Sequence, residues 1–152
     1  MDNLEKQKYI FGSLFLLANK LQALGDKYMG KDGMTTKQWF LTAIISQFGD
    51  NPPTLSEVAE LMGSSRQNIK QLALKLEEKE FLKIHQDERD ARALRLKLTK
   101  KSQEFWEKRE DKDAQFIMYL FEGLSHHEIE VMCTGIKKLL EKIEEMGGQF
   151  NG

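Results

Sequence analysis

Arg66, Gln67, Asn68, Lys70, Gln71 and Lys75 fall at spacings that gather them along the outside of one helix. Amides and cations so arranged are the groups that hydrogen-bond base edges or hold phosphate oxygens. Ser64 and Ser65 stand just before them, where free backbone N–H groups and the positive end of the helix dipole favour an anion. A little further on, Asp87, Arg89, Asp90 and Arg92 crowd into one charged turn. An arginine there can enter a narrow minor groove, and a neighbouring carboxylate can hold a guanidinium fork in place. Arg89, nearer the tip, is expected to reach outward. Asp87 and Asp90 are expected to brace the turn, Asp90 by pairing with Arg92. A solvated outer face, common to amphipathic surface helices, is the alternative for the helix residues.

Charge distribution favours the first reading. The chain of 152 residues carries a net charge of −1, yet Ser64 to Lys101 holds eleven Lys/Arg against six Asp/Glu, a local +5 that leaves −6 elsewhere. One basic region on an acidic body is the footprint of a protein that touches phosphate with part of its surface. Enzyme chemistry finds little support. His85, His126 and His127 are the three histidines, and the adjacent pair point to different sides of a helix start. There is no glycine-rich phosphate loop and no G-x-S-x-G. The chain is therefore expected not to be an enzyme and to need no cofactor or metal. Cys133 stands alone, so no internal disulfide forms and a core thiol in a reducing compartment is expected. No apolar run nears the roughly 20 residues of a membrane span, and the first residues lack a signal-peptide pattern. These features predict a cytoplasmic protein with no membrane association.

The elements that must position these residues are legible from periodicity. Apolar residues at Ile10, Leu14, Leu17, Leu21, Leu24 and Tyr28 predict a long first helix ended by Gly30 and Gly33. Thr35 with Gln38 forms a capping-box pattern ahead of a helix, buried on most sides, that runs to about Phe48. "GDNPP" is a turn. Thr54 with Glu57 caps a short helix stopped by Gly63, and Ser64 or Ser65 caps the next, whose inward stripe is Ile69, Leu72, Ala73 and Leu76. The period then changes to two in "FLKIH" and "ALRLKLT", which predicts a β-hairpin with Leu94, Leu96 and Leu98 inward and Arg95 and Lys97 outward beside the tip arginines. Thr99 caps a further helix ending near Gly123. Ser125 with Glu128 caps the last helix, whose face runs through Ile129, Met132, Ile136, Leu139, Leu140 and Ile143 to a stop at Gly147, with "GQFNG" fraying.

A short capped helix, a glycine turn, a second helix and a basic hairpin are the parts of a winged helix-turn-helix. The fold class expected is mainly α, about six helices plus a two-stranded wing. Element order, together with "LSEVAELMGSSRQNIKQLALKLEEKEFL" and the D-x-R-D-x-R pattern at Asp87, Arg89, Asp90 and Arg92, resembles the MarR family of bacterial transcription regulators. The resemblance implies a homodimeric repressor on a pseudo-palindromic double-stranded operator, responsive to an effector bound between dimer helices and winged domain. Residues 1–33 and 123–152 would then be dimerisation helices, 34–100 the DNA-binding domain and 101–122 a connecting helix. Apolar stripes on the first and last helices support an intersubunit bundle, with an intramolecular helix pair as the alternative. Phe11, Phe15, Trp39, Phe40, Phe116 and Tyr119 are candidate contacts for a small aromatic or amphipathic effector, or else core. The competing function is a winged-helix protein-interaction module that does not bind DNA.

Overall fold

The computed structural model describes residues 1–150. In chain order the elements are α1 (Asn3–Gly30), α2 (Thr36–Ser46), α3 (Leu55–Met62), α4 (Arg66–Glu78), β1 (Leu82–Gln86), β2 (Leu94–Leu98), α5 (Lys100–Leu120) and α6 (His126–Phe150). They form two compact units, one running from Met1 to Phe105 and the other beginning at Trp106.

Caps fix where the helices of the first unit begin. Thr35 and Thr54 each accept from the backbone N–H three residues on, and Gln38 and Glu57 reach back to the cap backbone. Such a cap contributes about 1 kcal/mol. Of the two serines before α4, Ser65 is the cap, accepting from the Asn68 N–H at 3.1 Å. Gly63 takes the left-handed conformation (φ 64°) that lets α3 stop and α4 start two residues later. Glu80 adopts the same conformation (φ 64°) after α4, an unusual position for a residue with a Cβ. Its carbonyl accepts from Thr99 Oγ1 at 2.7 Å and its carboxylate meets Lys101 Nζ at 3.3 Å, contacts that hold the turn in place.

The core joins α2, α3, α4 and the hairpin. Leu41, Val58, Ile69, Ala73, Leu76 and Leu96 have essentially no exposed surface. β1 and β2 pair antiparallel with Leu82 opposite Leu98 and Ile84 opposite Leu96, so the pleat turns their leucines and Ile84 to one face. Leu96 N–H donates to Pro53 O at 2.9 Å, and Thr54 bridges to Arg95, tying the proline turn along the outer edge of β2. α1 docks on α2 by a close approach at Gly25. Thr36 Oγ1 donates to Gln22 O at 3.0 Å and the Thr36 N–H to Asp26 Oδ1 at 2.7 Å.

In the second unit, Ser125 and Glu128 form the expected capping box of α6, and Arg109 pairs with Asp113 at 3.2 Å along α5.

Several expectations are corrected. α6 does not stop at Gly147 but continues through Gly147 and Gly148 to Phe150; neither glycine takes a positive φ, and a glycine inside a helix costs only about 1 kcal/mol. Of the tail expected to fray, residues 148–150 are helical, while 151 and 152 lie outside the described residues. Cys133 is exposed rather than a core thiol, because α6 buries none of its described side chains within the chain. α2 ends at Ser46, short of Phe48, and Trp39 and Phe40 remain exposed because the core takes only the opposite side of the helix, through Gln38, Leu41, Thr42, Ile44 and Ile45.

A Cβ built on Gly25 would lie 2.2 Å from Thr36 Oγ1. Gly25→Ala is expected to lower stability by about 1–3 kcal/mol through overpacking, read as a reduced midpoint in urea with an unchanged m-value.

Candidate nucleic-acid interface

α4 presents two unlike sides. Ile69, Ala73 and Leu76 are buried, whereas Ser65, Arg66, Gln67, Asn68, Lys70, Gln71 and Lys75 are all exposed, and Ser64 is half-buried in the turn. Leu74 also stands on the exposed side, an apolar group among the polar ones that periodicity alone did not single out. α3 crosses behind α4, and the open N-terminal turn of α4 faces solvent with its first N–H groups only partly satisfied by Ser65. Two contacts anchor the far end of α4. Glu77 accepts from the Ile84 N–H of β1 at 2.8 Å, and Lys79 Nζ bonds both Gly33 O and Gln38 Oε1. The helix, the wing and the α1–α2 turn are thereby joined.

The wing divides its charges differently from the sequence expectation. Asp87 does brace, but its partner is Arg95, with Nε to Oδ1 at 2.5 Å and both side chains largely shielded. Arg95 Nη1 donates onward to Pro52 O at 2.5 Å. Register places Arg95 on the same face of β2 as Lys97, but its guanidinium is tied to Asp87 and Pro52 instead of standing free in solvent. A residue read as a surface cation is a clamp between the wing and the turn before α3. Asp87 also accepts from the N–H groups of Arg89 and Asp90 at 3.2 and 3.0 Å, which shapes the tip. Asp90 pairs with Arg92 as expected, at 3.4 Å, but with 93% of the Arg92 side chain in solvent this is a loose surface contact. Arg89 is exposed and makes no ion pair among the described residues. The Arg95 guanidinium hydrogen-bonded to Asp87 holds that carboxyl below the ordinary carboxylate range.

The candidate effector aromatics form smaller groupings. Phe11 and Phe15 meet edge to face on α1 with centroids 5.3 Å apart, and Trp39 and Phe40 lie 6.3 Å apart on α2. Phe116 and Tyr119 belong to the second unit. A cavity of about 740 Å³ lies elsewhere, against the wing, and none of the six lines it. Among the described residues no cluster of three His, Cys, Asp or Glu side chains is placed to hold a metal, and no helix is long and apolar enough to cross a membrane.

Comparison with solved structures decides the fold. A MarR/EmrR family transcriptional regulator from Acinetobacter sp. ADP1 superposes with a TM-score of 0.77 over 91% of this chain and 97% of its own, at 22% identity. The fold is that of the MarR-family regulators. BldR from Sulfolobus solfataricus gives a TM-score of 0.80 at 14% identity over 93% of this chain and 99% of its own. S. aureus MepR in complex with DNA gives 0.73 at 20% identity over 88% and 97%. Among curated proteins, the transcriptional activatory protein BadR of Rhodopseudomonas palustris is 29% identical over 105 residues, 68% of this chain and 60% of BadR. No family model matches the chain.

Removing the clamp should loosen the wing without touching α4. In Arg95→Ala, amides of residues 87–93 are expected to exchange at least about tenfold faster, with α4 amides unchanged. Because the folded Asp87 carboxyl is depressed, its contribution is complete above the unfolded value of about 3.9 and is lost only as pH falls through the lower folded value. NMR titration of the Asp87 carboxyl should place its midpoint below the ordinary aspartate value, and Arg95→Ala should bring it back toward that value.

Proposed function

We propose that this chain is a sequence-specific, double-stranded DNA-binding transcriptional regulator of the MarR type. One observation carries the reading: an exposed row of amides and cations on α4 stands beside a wing whose free arginine, Arg89, projects from a tip shaped by Asp87. α4 would lie in the major groove with its N-terminal residues deepest, and Arg89 would enter the adjacent minor groove. The MarR-like solved structures, one of them bound to DNA, support this use of the same fold.

The regulator would act as a homodimer. α1 leaves Leu14, Leu17, Leu21 and Leu24 exposed along one stripe, and α6 does the same with Met132, Ile136, Leu139 and Ile143. Apolar faces of that length on a soluble chain call for a cover. A second copy supplies one by symmetry and yields two reading heads about 34 Å apart on an inverted repeat. Repression relieved by a small aromatic ligand near the helix aromatics completes the proposal. Addition of such an effector should quench Trp39 fluorescence and release the operator together.

Fluorescence anisotropy on the duplex upstream of the chain's own gene, against a scrambled duplex at two salt concentrations, tests the DNA reading. The upstream duplex is expected to bind at least about a thousandfold more tightly. Lys70→Ala should reduce the salt slope by about one, and Arg89→Ala should weaken binding about tenfold with the oligomer intact. Equal binding to both duplexes would overturn the operator reading, and no binding to either at any salt would leave a winged-helix interaction module as the reading. Sedimentation should show a dimer for the wild type and a monomer for Ile136→Asp/Leu139→Asp.

A further inference from the structure

The exposed side of α4 is sorted by chemistry. Gln67, Gln71 and Leu74 stand at i, i+4 and i+7, so they share one line along the helix. That line lies opposite the buried Ile69, Ala73 and Leu76. At about 100° per residue, Arg66 and Lys70 fall to one side of it and Asn68 and Lys75 to the other. The cations flank the line, and its middle is two amides and one leucine.

Each member of the line is uncommitted. Gln67 and Gln71 are exposed, and neither side-chain amide has a hydrogen-bond partner among the described residues. Leu74 is 43% exposed. Glu78, one turn beyond Leu74 on the same line, closes it, because phosphates repel a carboxylate. From Gln67 to Leu74 the helix advances about 10 Å, roughly three base steps at ~3.4 Å each. In the major groove a glutamine amide bonds both N6 and N7 of adenine, the 5-methyl group of thymine takes an apolar side chain, and guanine is taken by arginine or lysine. The line holds the first two kinds of reader and lacks the third.

We propose, building on the DNA reading above, that α4 selects a half-site of consecutive A·T pairs, in which Gln67 and Gln71 each bond an adenine and Leu74 covers the 5-methyl group of a thymine. Lys70 and Lys75 hold phosphates on either side. The leucine gives the row its direction, since only thymine among the four bases presents a methyl group in the major groove. Arg89 in the minor groove cannot supply this discrimination, because A·T and T·A look alike there.

The test is selection by the full-length protein from a duplex pool of random sequence, then binding to the recovered duplex with each half-site thymine in turn replaced by deoxyuridine. The replacement strips the 5-methyl group and keeps base pairing and the minor-groove edge. Recovered half-sites are expected to hold adjacent A·T pairs, and deoxyuridine at one thymine position is expected to weaken wild-type binding about fourfold per half-site, the worth of one buried methyl group. Leu74→Ala should bind the thymine and deoxyuridine duplexes equally. Gln67→Ala/Gln71→Ala should lose at least about fivefold on the recovered duplex while still favouring thymine over deoxyuridine. All three side chains are exposed, so both variants should melt near the wild-type temperature. Half-sites of G·C pairs, equal wild-type binding with deoxyuridine at every position, or a Leu74→Ala protein that still distinguishes the two duplexes would each overturn this assignment and leave DNA binding standing. So would a Leu74→Ala protein altered in sedimentation but not in base preference, which would assign the leucine to self-association. Recovery of no preferred sequence would instead overturn the operator reading itself.

Discussion

A two-stranded hairpin is marginal in water on its own, and the wing escapes that limit by being fastened on three sides. Leu82 and Leu96 are sealed into the core beneath it, Glu77 takes the Ile84 N–H on one edge, and the proline turn takes the Leu96 N–H and the Arg95 guanidinium on the other. Each attachment comes from a different stretch of chain. The wing and α4 thus move as one body, and an arginine at the tip can keep a fixed offset from the polar row on α4.

Electrostatics and packing divide this task. Packing fixes where the hairpin stands; the Asp87–Arg95 pair fixes how its tip is folded, because the same carboxylate also gathers the N–H groups of Arg89 and Asp90. An exposed ion pair adds little to stability. This one is largely shielded, with one hydrogen bond between the partners and further bonds from each to the backbone, and its contribution is to order the tip.

Periodicity and capping chemistry made the first unit legible. Thr35 and Thr54 cap where their types and the residue three positions on indicated, as Ser125 does in the second unit; Thr99 caps by its type alone, and Gly63 turns where only a left-handed residue permits it. The wing charges were legible only in kind. Which carboxylate holds which arginine depends on strand register and on the carbonyl of Pro52, more than forty positions away from Arg95, and local sequence does not encode a contact of that range. Cys133 and Gly147 show the converse. An apolar helix face looks the same in sequence whether its cover comes from its own chain or from elsewhere, and a helical glycine looks like a stop until no left-handed turn follows it.

Gly25 gives the long first helix a fulcrum. From Asn3 to Gly25, α1 extends for about 33 Å, so a tilt of only 5° at the Thr36 contact would carry its N-terminal end roughly 3 Å sideways by simple leverage. The missing side chain at Gly25 admits Thr36 Oγ1 closely enough to reach Gln22 O, and the neighbouring Asp26 holds the Thr36 N–H. Gln22, Gly25 and Asp26, about one helical turn near one end of a rod, thereby set its angle, and small errors there would be magnified along its whole length.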